Sequence, residues 1–282
     1  MKLTIGTAQF GLRYGANKEK IKKSEIKKII KILKINSIEH FDTAMNYGES
    51  EKVIGDIKNK KKVITKIKLP SKKPKNLKKW FNGKLNRSLK KLNAKSLYGL
   101  LIHDTSDILG KNNEFLNIIL DCQKKKLIMK VGISVYEPKE IKKILQFWIP
   151  DIVQFPLNVF DQRFLKNSLL KKLKKLNIKT YARSCFLQGI LLNNQLKLGN
   201  TKSQKLFKKY KKWCSMNKID QITGCLHFIK KVKHIDYLII GFDNMIHLNQ
   251  IINSFNKKLF FVPNVFNCNE KKLIDPRKWS YN

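Results

Sequence analysis

Four side chains of unlike chemistry stand at or just past the C-terminal ends of three successive apolar runs: Asp42, Tyr47, Lys66 and His103. The runs read Ile38-Glu-His-Phe-Asp42-Thr-Ala-Met-Asn-Tyr47-Gly48, Lys62-Val-Ile-Thr-Lys66 and Leu97-Tyr-Gly-Leu-Leu-Ile-His103-Asp104. Together they offer a carboxylate, a phenol, an amine and an imidazole. An unperturbed phenol titrates near pH ~10, too weak an acid to protonate a carbonyl oxygen unaided at neutral pH. A nearby ammonium stabilises the phenolate and lowers that value, and a buried carboxylate keeps the ammonium charged and in place. Taken singly, each residue has a plainer use. Asp42 could cap a turn, Tyr47 could be an interface aromatic, Lys66 one of many solvated lysines, and His103 a hydrogen-bonded histidine at a barrel rim.

Acid/base chemistry therefore depends on elements that bring the four together. Eight short apolar runs read as strands, at 3–7, 38–42, 63–67, 96–102, 129–133, 152–155, 179–182 and 237–240. Between them, stretches at 24–33, 50–57, 76–92, 113–122, 139–147, 162–176, 203–231 and 246–255 carry apolar residues at helical spacing, the first with Ser24 as its N-cap. Glu49 and Glu51 fall at the start of the second stretch, where acidic residues favour the helix dipole. Strands alternating with helices argue for a parallel sheet, and eight repeats argue for an α/β fold of the (β/α)8 TIM-barrel type. An open doubly wound sheet is the alternative. In the closed barrel all strand C-termini open onto one face, so the four side chains would converge there.

At 282 residues, with no Gly/Ser linker, the chain reads as one domain over 1–282 with a tail at 258–282. The segment 186–231 is longer than one connection requires, and holds a loop and two helical patterns. The tail is aromatic, with Phe260, Phe261, Phe266, Trp279 and Tyr281. It either shapes a pocket or covers the barrel wall.

The fragments Gly6-Thr-Ala-Gln-Phe-Gly11, Asp42-Thr-Ala-Met-Asn-Tyr47-Gly48, Thr65-Lys66, Leu101-Ile-His103, Gly132-Ile-Ser134, Gln154-Phe-Pro-Leu-Asn158 and Ile239-Ile-Gly241 resemble the aldo-keto reductases, in that family's order and at roughly its spacing over about residues 1–257. The resemblance implies a reductase that transfers hydride from NAD(P)H to an aldehyde or ketone. In that scheme Tyr47 donates the proton, Lys66 and Asp42 tune it, and His103 orients the carbonyl. It also implies a cofactor site. Gly6 and Thr7 close the first strand, and Ser134 and Gln154 match the positions that bind the nicotinamide carboxamide. Ser184 and Leu187-Gln-Gly189 match the pyrophosphate strap, and Gly241, Asp243 and His247 lie by the last strand, where Asp243 and Asn244 could cap a helix whose N-terminus faces phosphate.

This chain departs from the family pattern at several positions. Val135 replaces an Asn that usually follows the serine, and Arg183 falls where many members stack a tyrosine on the nicotinamide. A guanidinium plane can stack too, or bind a phosphate. His247 stands where an Arg often clamps the 2′-phosphate of NADPH, and Ile251 replaces an Asn that often contacts adenine. NADP(H) is the expected cofactor by family habit and positive charge, with NAD(H) left open. The opening fragment and Arg183-Ser-Cys-Phe-Leu-Gln-Gly189 look like a bacterial branch often associated with sugar or surface-glycan metabolism, which points to a small, sugar-derived carbonyl substrate.

Other chemistries have less support. No Gly-x-Gly-x-x-Gly fingerprint follows a strand, so a Rossmann site is not expected. Leu12-Arg13 follows Gly11 in place of Lys and Ser or Thr, which argues against triphosphate hydrolysis. His40, His227, His234 and His247 lack metal-ligand spacing. The five cysteines include no Cys-x-x-Cys pair, so neither zinc nor a disulfide framework is expected.

The net charge of +40, from 60 Lys and Arg against 20 Asp and Glu, would suit a nucleic-acid binder. Its lysines, however, fall between apolar residues at helical spacing, as on solvated faces. No aromatic-rich RNA motif or basic arm accompanies them, and AT-rich codons would give the same excess of Lys, Ile and Asn. A non-catalytic redox sensor of the same fold is the other rival. The opening Met1-Lys-Leu-Thr-Ile-Gly6 lacks the charged, apolar and small-residue series of a secretory leader, and no apolar run is long enough for a membrane helix. A cytoplasmic protein is the expectation.

Overall fold

The computed structural model describes residues 1–15, 20–58, 61–109, 113–192 and 201–279. The eight apolar runs form eight parallel strands: β1 (Lys2–Gly6), β2 (His40–Asp42), β3 (Lys62–Ile67), β4 (Gly99–Ile102), β5 (Val131–Ser134), β6 (Ile152–Pro156), β7 (Lys179–Arg183) and β8 (Tyr237–Ile240). Each pairs with the next in chain order, and β8 returns to β1 through the register Leu3 to Leu238 and Ile5 to Ile240. The sheet is a closed barrel, so no strand edge is left open.

Side chains alternate across each strand, which divides the core in two. Inside the barrel a small cluster gathers Ile64, Leu101, Ile152, Tyr181 and Ile239, with Tyr98 and Tyr237 packed against it. Gly132 lies between Leu101 and Ile152 in register, and a Cβ there would come within 2.3 Å of the Ile152 carbonyl oxygen, so only glycine fits. The larger cluster lies between sheet and helices, and includes Ile5, Phe41, Leu100, Ile133, Val153, Leu238 and Ile240 from the strands.

Among the described residues the helices are α1 (Ala8–Gly11), α2 (Lys23–Ile35), α3 (Ser50–Gly55), α4 (Leu77–Leu92), α5 (Glu114–Lys124), α6 (Pro138–Ile144), α7 (Leu169–Lys175), α8 (Thr201–Met216), α9 (Gln221–Lys230), α10 (Met245–Asn256) and α11 (Lys271–Ile274). Two sequence expectations are corrected. Ser24 is not the cap of α2, which begins at Lys23 after an extended Lys22. The stretch 162–176 is not one helix: Asn167 and Ser168 take φ of 57° and 52°, so only Leu169–Lys175 remains α-helical. The two helical patterns expected within 186–231 are present: α8 and α9 are separated by a turn at Lys218 (φ 54°), after which Asp220 accepts from the backbone N–H of Thr223 and caps α9.

Of the two uses open to the tail, packing against the outside of the barrel is the one its first part takes. Phe266 is buried against Tyr210 and Trp213, with ring centroids 5.3 and 5.7 Å away, and Phe260 packs on Trp213. Farther on, a short 3-10 turn (Pro276–Lys278) carries Arg277 to the barrel mouth. Tyr281 lies outside the described residues. Among those residues no helix is long and apolar enough to cross a membrane.

Candidate active site at the barrel mouth

The strand period of two places the site. One step of two residues beyond the interior packing positions, toward the strand C-termini, Ile64 gives way to Lys66, Leu101 to His103, Gly132 to Ser134, Ile152 to Gln154, Tyr181 to Arg183 and Ile239 to Gly241. With Asp42 at the end of β2 and Gly6 at the end of β1, these residues line one cleft. All thirteen residues singled out from the sequence line it: Asp42, Tyr47, Lys66, His103, Gly6, Thr7, Ser134, Gln154, Arg183, Ser184, Gly241, Asp243 and His247.

At the floor, the Lys66 ammonium donates to Asp42 Oδ2 at 2.6 Å and to the Thr43 carbonyl at 2.8 Å. The other Asp42 oxygen accepts from Gln154 Nε2 at 2.7 Å. Both members of the ion pair are buried, and the extra hydrogen bonds offset the cost of taking two charges out of water. Lys66 Nζ lies 5.5 Å from the centre of the Tyr47 ring, and the rings of Tyr47 and His103 meet edge to face at 6.3 Å. Burial lowers the Lys66 pKa, opposed by Asp42. Burial, with the charges of Lys66 and Arg183 beside it, pushes His103 down to about 3, so its imidazole is neutral at pH 7. Tyr47 runs against the sequence expectation: burial raises its pKa well above the usual phenol value, with Tyr14 and Asp42 adding to the rise and Arg183 opposing it. The phenol therefore stays protonated at neutral pH.

A polar layer behind the floor fixes these groups. Thr7 Oγ1 donates to the Asp42 carbonyl at 3.0 Å, and Ser50 Oγ lies 2.7 Å from Thr7 Oγ1 and 3.0 Å from Thr43 Oγ1. Glu51 is buried and accepts from Thr65 and Ser88 at 2.8 and 2.7 Å, which anchors α3 to β3 and α4. Gly11 matters for close approach: a Cβ there would fall 1.8 Å from the Tyr47 carbonyl oxygen. Its partner Gly48 has φ +56° and would press a Cβ on the Gly11 carbonyl at 2.7 Å. The Gly6 to Gly11 fragment, whose spacing matches a phosphate loop, here seats the Tyr47 loop.

Elsewhere in the cleft, Ser134 Oγ stands 3.5 Å from Gln154 Oε1. Asn244 alone caps α10, accepting from the His247 backbone N–H at 2.8 Å, while Asp243 accepts from Gln9 at 2.5 Å. His247 Nδ1 lies 3.9 Å from Asp243, burial lowers its pKa, and its Nε2 is buried with no hydrogen-bond partner among the described residues. Asn158 of the Gln154-Phe-Pro-Leu-Asn158 fragment faces the protein, bonding the Ser184 carbonyl and the backbone N–H groups of Phe160 and Asp161. The sequence reading missed Gln9, Tyr14 and Tyr136, which also line the cleft, while Gln188 of the expected strap is present there. Tyr136 could have been found, since it lies two residues beyond Ser134 on the same alternation. Among the described residues, no group of three or more His, Cys, Asp or Glu is placed to hold a metal ion.

The family model described as Aldo/keto reductase family matches residues 2–261. No curated protein matches the sequence. Among solved structures the chain is similar to aldo-keto reductase AKR11C1 from Bacillus halodurans in its holo form, at 14% identity and a TM-score of 0.75, covering 92% of this chain and 88% of that one. It is also similar to the glycerol dehydrogenase AKR11B4 from Gluconobacter oxydans, at 17% identity and a TM-score of 0.71, covering 92% and 87%. At such identities the likeness speaks for the fold alone.

Proposed function

The chain belongs to the aldo/keto reductase family, and from that premise we propose that it reduces an aldehyde or ketone to an alcohol with NAD(P)H, using Tyr47 as proton donor. The observation that carries the reading is the buried Lys66–Asp42 pair beneath Tyr47, with a neutral His103 on the other side of the phenol. A bound nicotinamide cofactor supplies the hydride.

The residues fit such a cofactor. Gln154 spends its amide N–H on Asp42, which leaves Oε1 and the Ser134 hydroxyl to meet a carboxamide. The orphaned His247 Nε2 offers a hydrogen bond to a ribose or phosphate group, and the capped N-terminus of α10 favours an anion nearby. Gly6, Thr7, Ser184, Gly241 and Asp243 complete the proposed cofactor wall. A neutral His247 brings no charge to a 2′-phosphate, so the expected preference for NADPH over NADH is small.

Tyr47 starts the reaction protonated, as burial dictates. His103, neutral, bonds the carbonyl oxygen and orients it toward the phenol. As the Tyr47 proton passes to that oxygen, negative charge grows on the phenolate beside Lys66 and within reach of the Arg183 charge. Both cations interact more strongly with this developing charge than with the neutral phenol, which is how they favour the transition state over the ground state. A small sugar-derived carbonyl remains the proposed substrate class, and the cytoplasm the proposed location.

Fluorescence titrations with NADPH and NADH, followed by carbonyl-dependent oxidation of the tighter cofactor across a panel of aldehydes and ketones, test the reading. Wild type should turn over, while Tyr47→Phe should lose about 10²–10⁴ in kcat with cofactor affinity retained. Binding of neither cofactor would overturn it.

A further inference from the structure

Arg183 ends β7 inside the cleft and is held there on three sides. Its Nη2 donates to the Val135 carbonyl at 3.1 Å, its Nη1 to Ser184 Oγ at 3.2 Å, and its guanidinium lies 4.2 Å from the centre of the Tyr136 ring. Tyr136 is itself fixed, because its backbone N–H donates to Glu140 at 2.8 Å and Arg277 covers the ring at 3.6 Å. Two guanidinium groups thus share one phenol.

Their charges are treated differently. Arg277 is matched by the buried Asp275, which takes its Nε and Nη2 at 2.9 and 2.7 Å. Arg183 has no carboxylate within ion-pair distance among the described residues. The neighbouring acids are committed elsewhere: Asp42 to Lys66 and Gln154, Asp161 and Glu137 to Arg163, and Glu140 to Thr105 and the backbone of its own helix. Lys66 is neutralised and His103 is uncharged, so Arg183 is the uncompensated charge among the groups around Tyr47. Its charge reaches Tyr47, Lys66 and His103 alike. A guanidinium carries five N–H donors in a fixed fork, and the bonds described use two of them, which leaves three for a planar, bidentate acceptor.

We propose that Arg183 binds an anionic substituent, carboxylate or phosphate, on the substrate, so that this site takes anionic carbonyl compounds in preference to neutral ones. The proposal rests on the carbonyl-reduction reading for the reaction but not for the binding. Tyr136 and Arg277 act as positioning residues, holding the fork in one orientation. An anion at Arg183 also supplies the countercharge that Arg183, unlike Arg277, lacks. A lysine would attract the same anion without the planar fork, and a tyrosine would keep a flat surface without the charge.

Isothermal titration of the protein without cofactor, at about 0.15 M salt to screen the general positive surface, tests binding directly. The probes are 4-(hydroxymethyl)benzoate, 4-(hydroxymethyl)phenyl phosphate and the neutral 1,4-benzenedimethanol. At least one anionic probe should bind wild type tenfold or more tighter than the neutral one, about 1.4 kcal/mol, and which of the two does so distinguishes carboxylate from phosphate. The ratio should collapse below threefold in Arg183→Tyr and in Arg183→Gln, and be partly retained in Arg183→Lys. Equal binding of all three probes, binding of none, or a ratio that survives both neutral variants would overturn the proposal. So would variants that lose NADPH affinity while keeping the ratio, because Arg183 would then serve the cofactor. An Arg183-dependent preference in a protein that reduces no carbonyl would leave the proposal standing and sink the reaction assigned above.

Discussion

Asp42 joins the site's charge to its scaffold, since one carboxylate holds Lys66 and Gln154 while its backbone carbonyl holds Thr7. Asp42→Asn would leave a buried ammonium without its countercharge, a change that costs about 3–5 kcal/mol. Urea unfolding should register that loss, and a variant as stable as wild type would mean the pair is not buried as described. Gly11→Ala should leave cofactor affinity near wild type but lower kcat, because the added methyl must displace the Tyr47 carbonyl; unchanged kcat in steady-state assays would contradict the close approach. Two histidines set a pH dependence. His40 is lowered to about 4 by burial and by the charges of Lys62 and Lys2, and His103 to about 3. As pH falls below about 6.5 the unfolded chain takes up these protons and the folded one does not, so stability declines from there toward pH 3–4 and is unaffected by either group above neutrality. At pH 5 each histidine accounts for on the order of 2 kcal/mol. The melting temperature should therefore drop between pH 7 and 5, and His40→Gln should flatten the slope. The convergence of Asp42, Tyr47, Lys66 and His103 on one cleft was legible in the sequence because each stands at or just past the end of an apolar run. The sign of the Tyr47 shift was not, because it is set first by burial, which the order of residues along the chain does not record.

At the scale of elements, strands were the most legible feature, because burial on both faces leaves little room for charge and makes short, distinct apolar runs. One helix was read too long. In 162–176 the apolar period continues through residues with positive φ, at Asn167 and Ser168, and a pattern of side chains does not record a backbone turn. The tail's path was invisible for a related reason: Phe266 and Arg277 make their contacts with Tyr210, Trp213 and Tyr136, all far away in sequence. Phe266→Ala should cost about 3–5 kcal/mol, as for a fully buried aromatic. Hydrogen exchange should then show the segment around α11 losing protection together with α8, and an unchanged exchange pattern would mean the tail is not part of the folded unit.

For the whole molecule, the charge of +40 is spread along lysine-rich helices and specifies no partner by itself. Its physical consequence is attraction of anions over distances that salt cuts off. The association rate of NADPH, followed by stopped-flow fluorescence, should fall as ionic strength is raised from about 0.01 M to 0.15 M, with a smaller change in the dissociation rate. Equal effects on both rates would remove steering as an explanation. The barrel itself gathers eight strand ends at one mouth, and the proposed acid and its supports depend on that gathering. The most direct test of this account is a single-turnover reaction between cofactor-loaded protein, carrying deuterium at the transferable position of the nicotinamide, and a reactive aldehyde. The account predicts that the label appears on the carbonyl carbon of the alcohol in wild type and that Tyr47→Phe slows the transfer by about 10²–10⁴. Label that stays on the cofactor in wild type, or transfer at the wild-type rate without the Tyr47 hydroxyl, would contradict it.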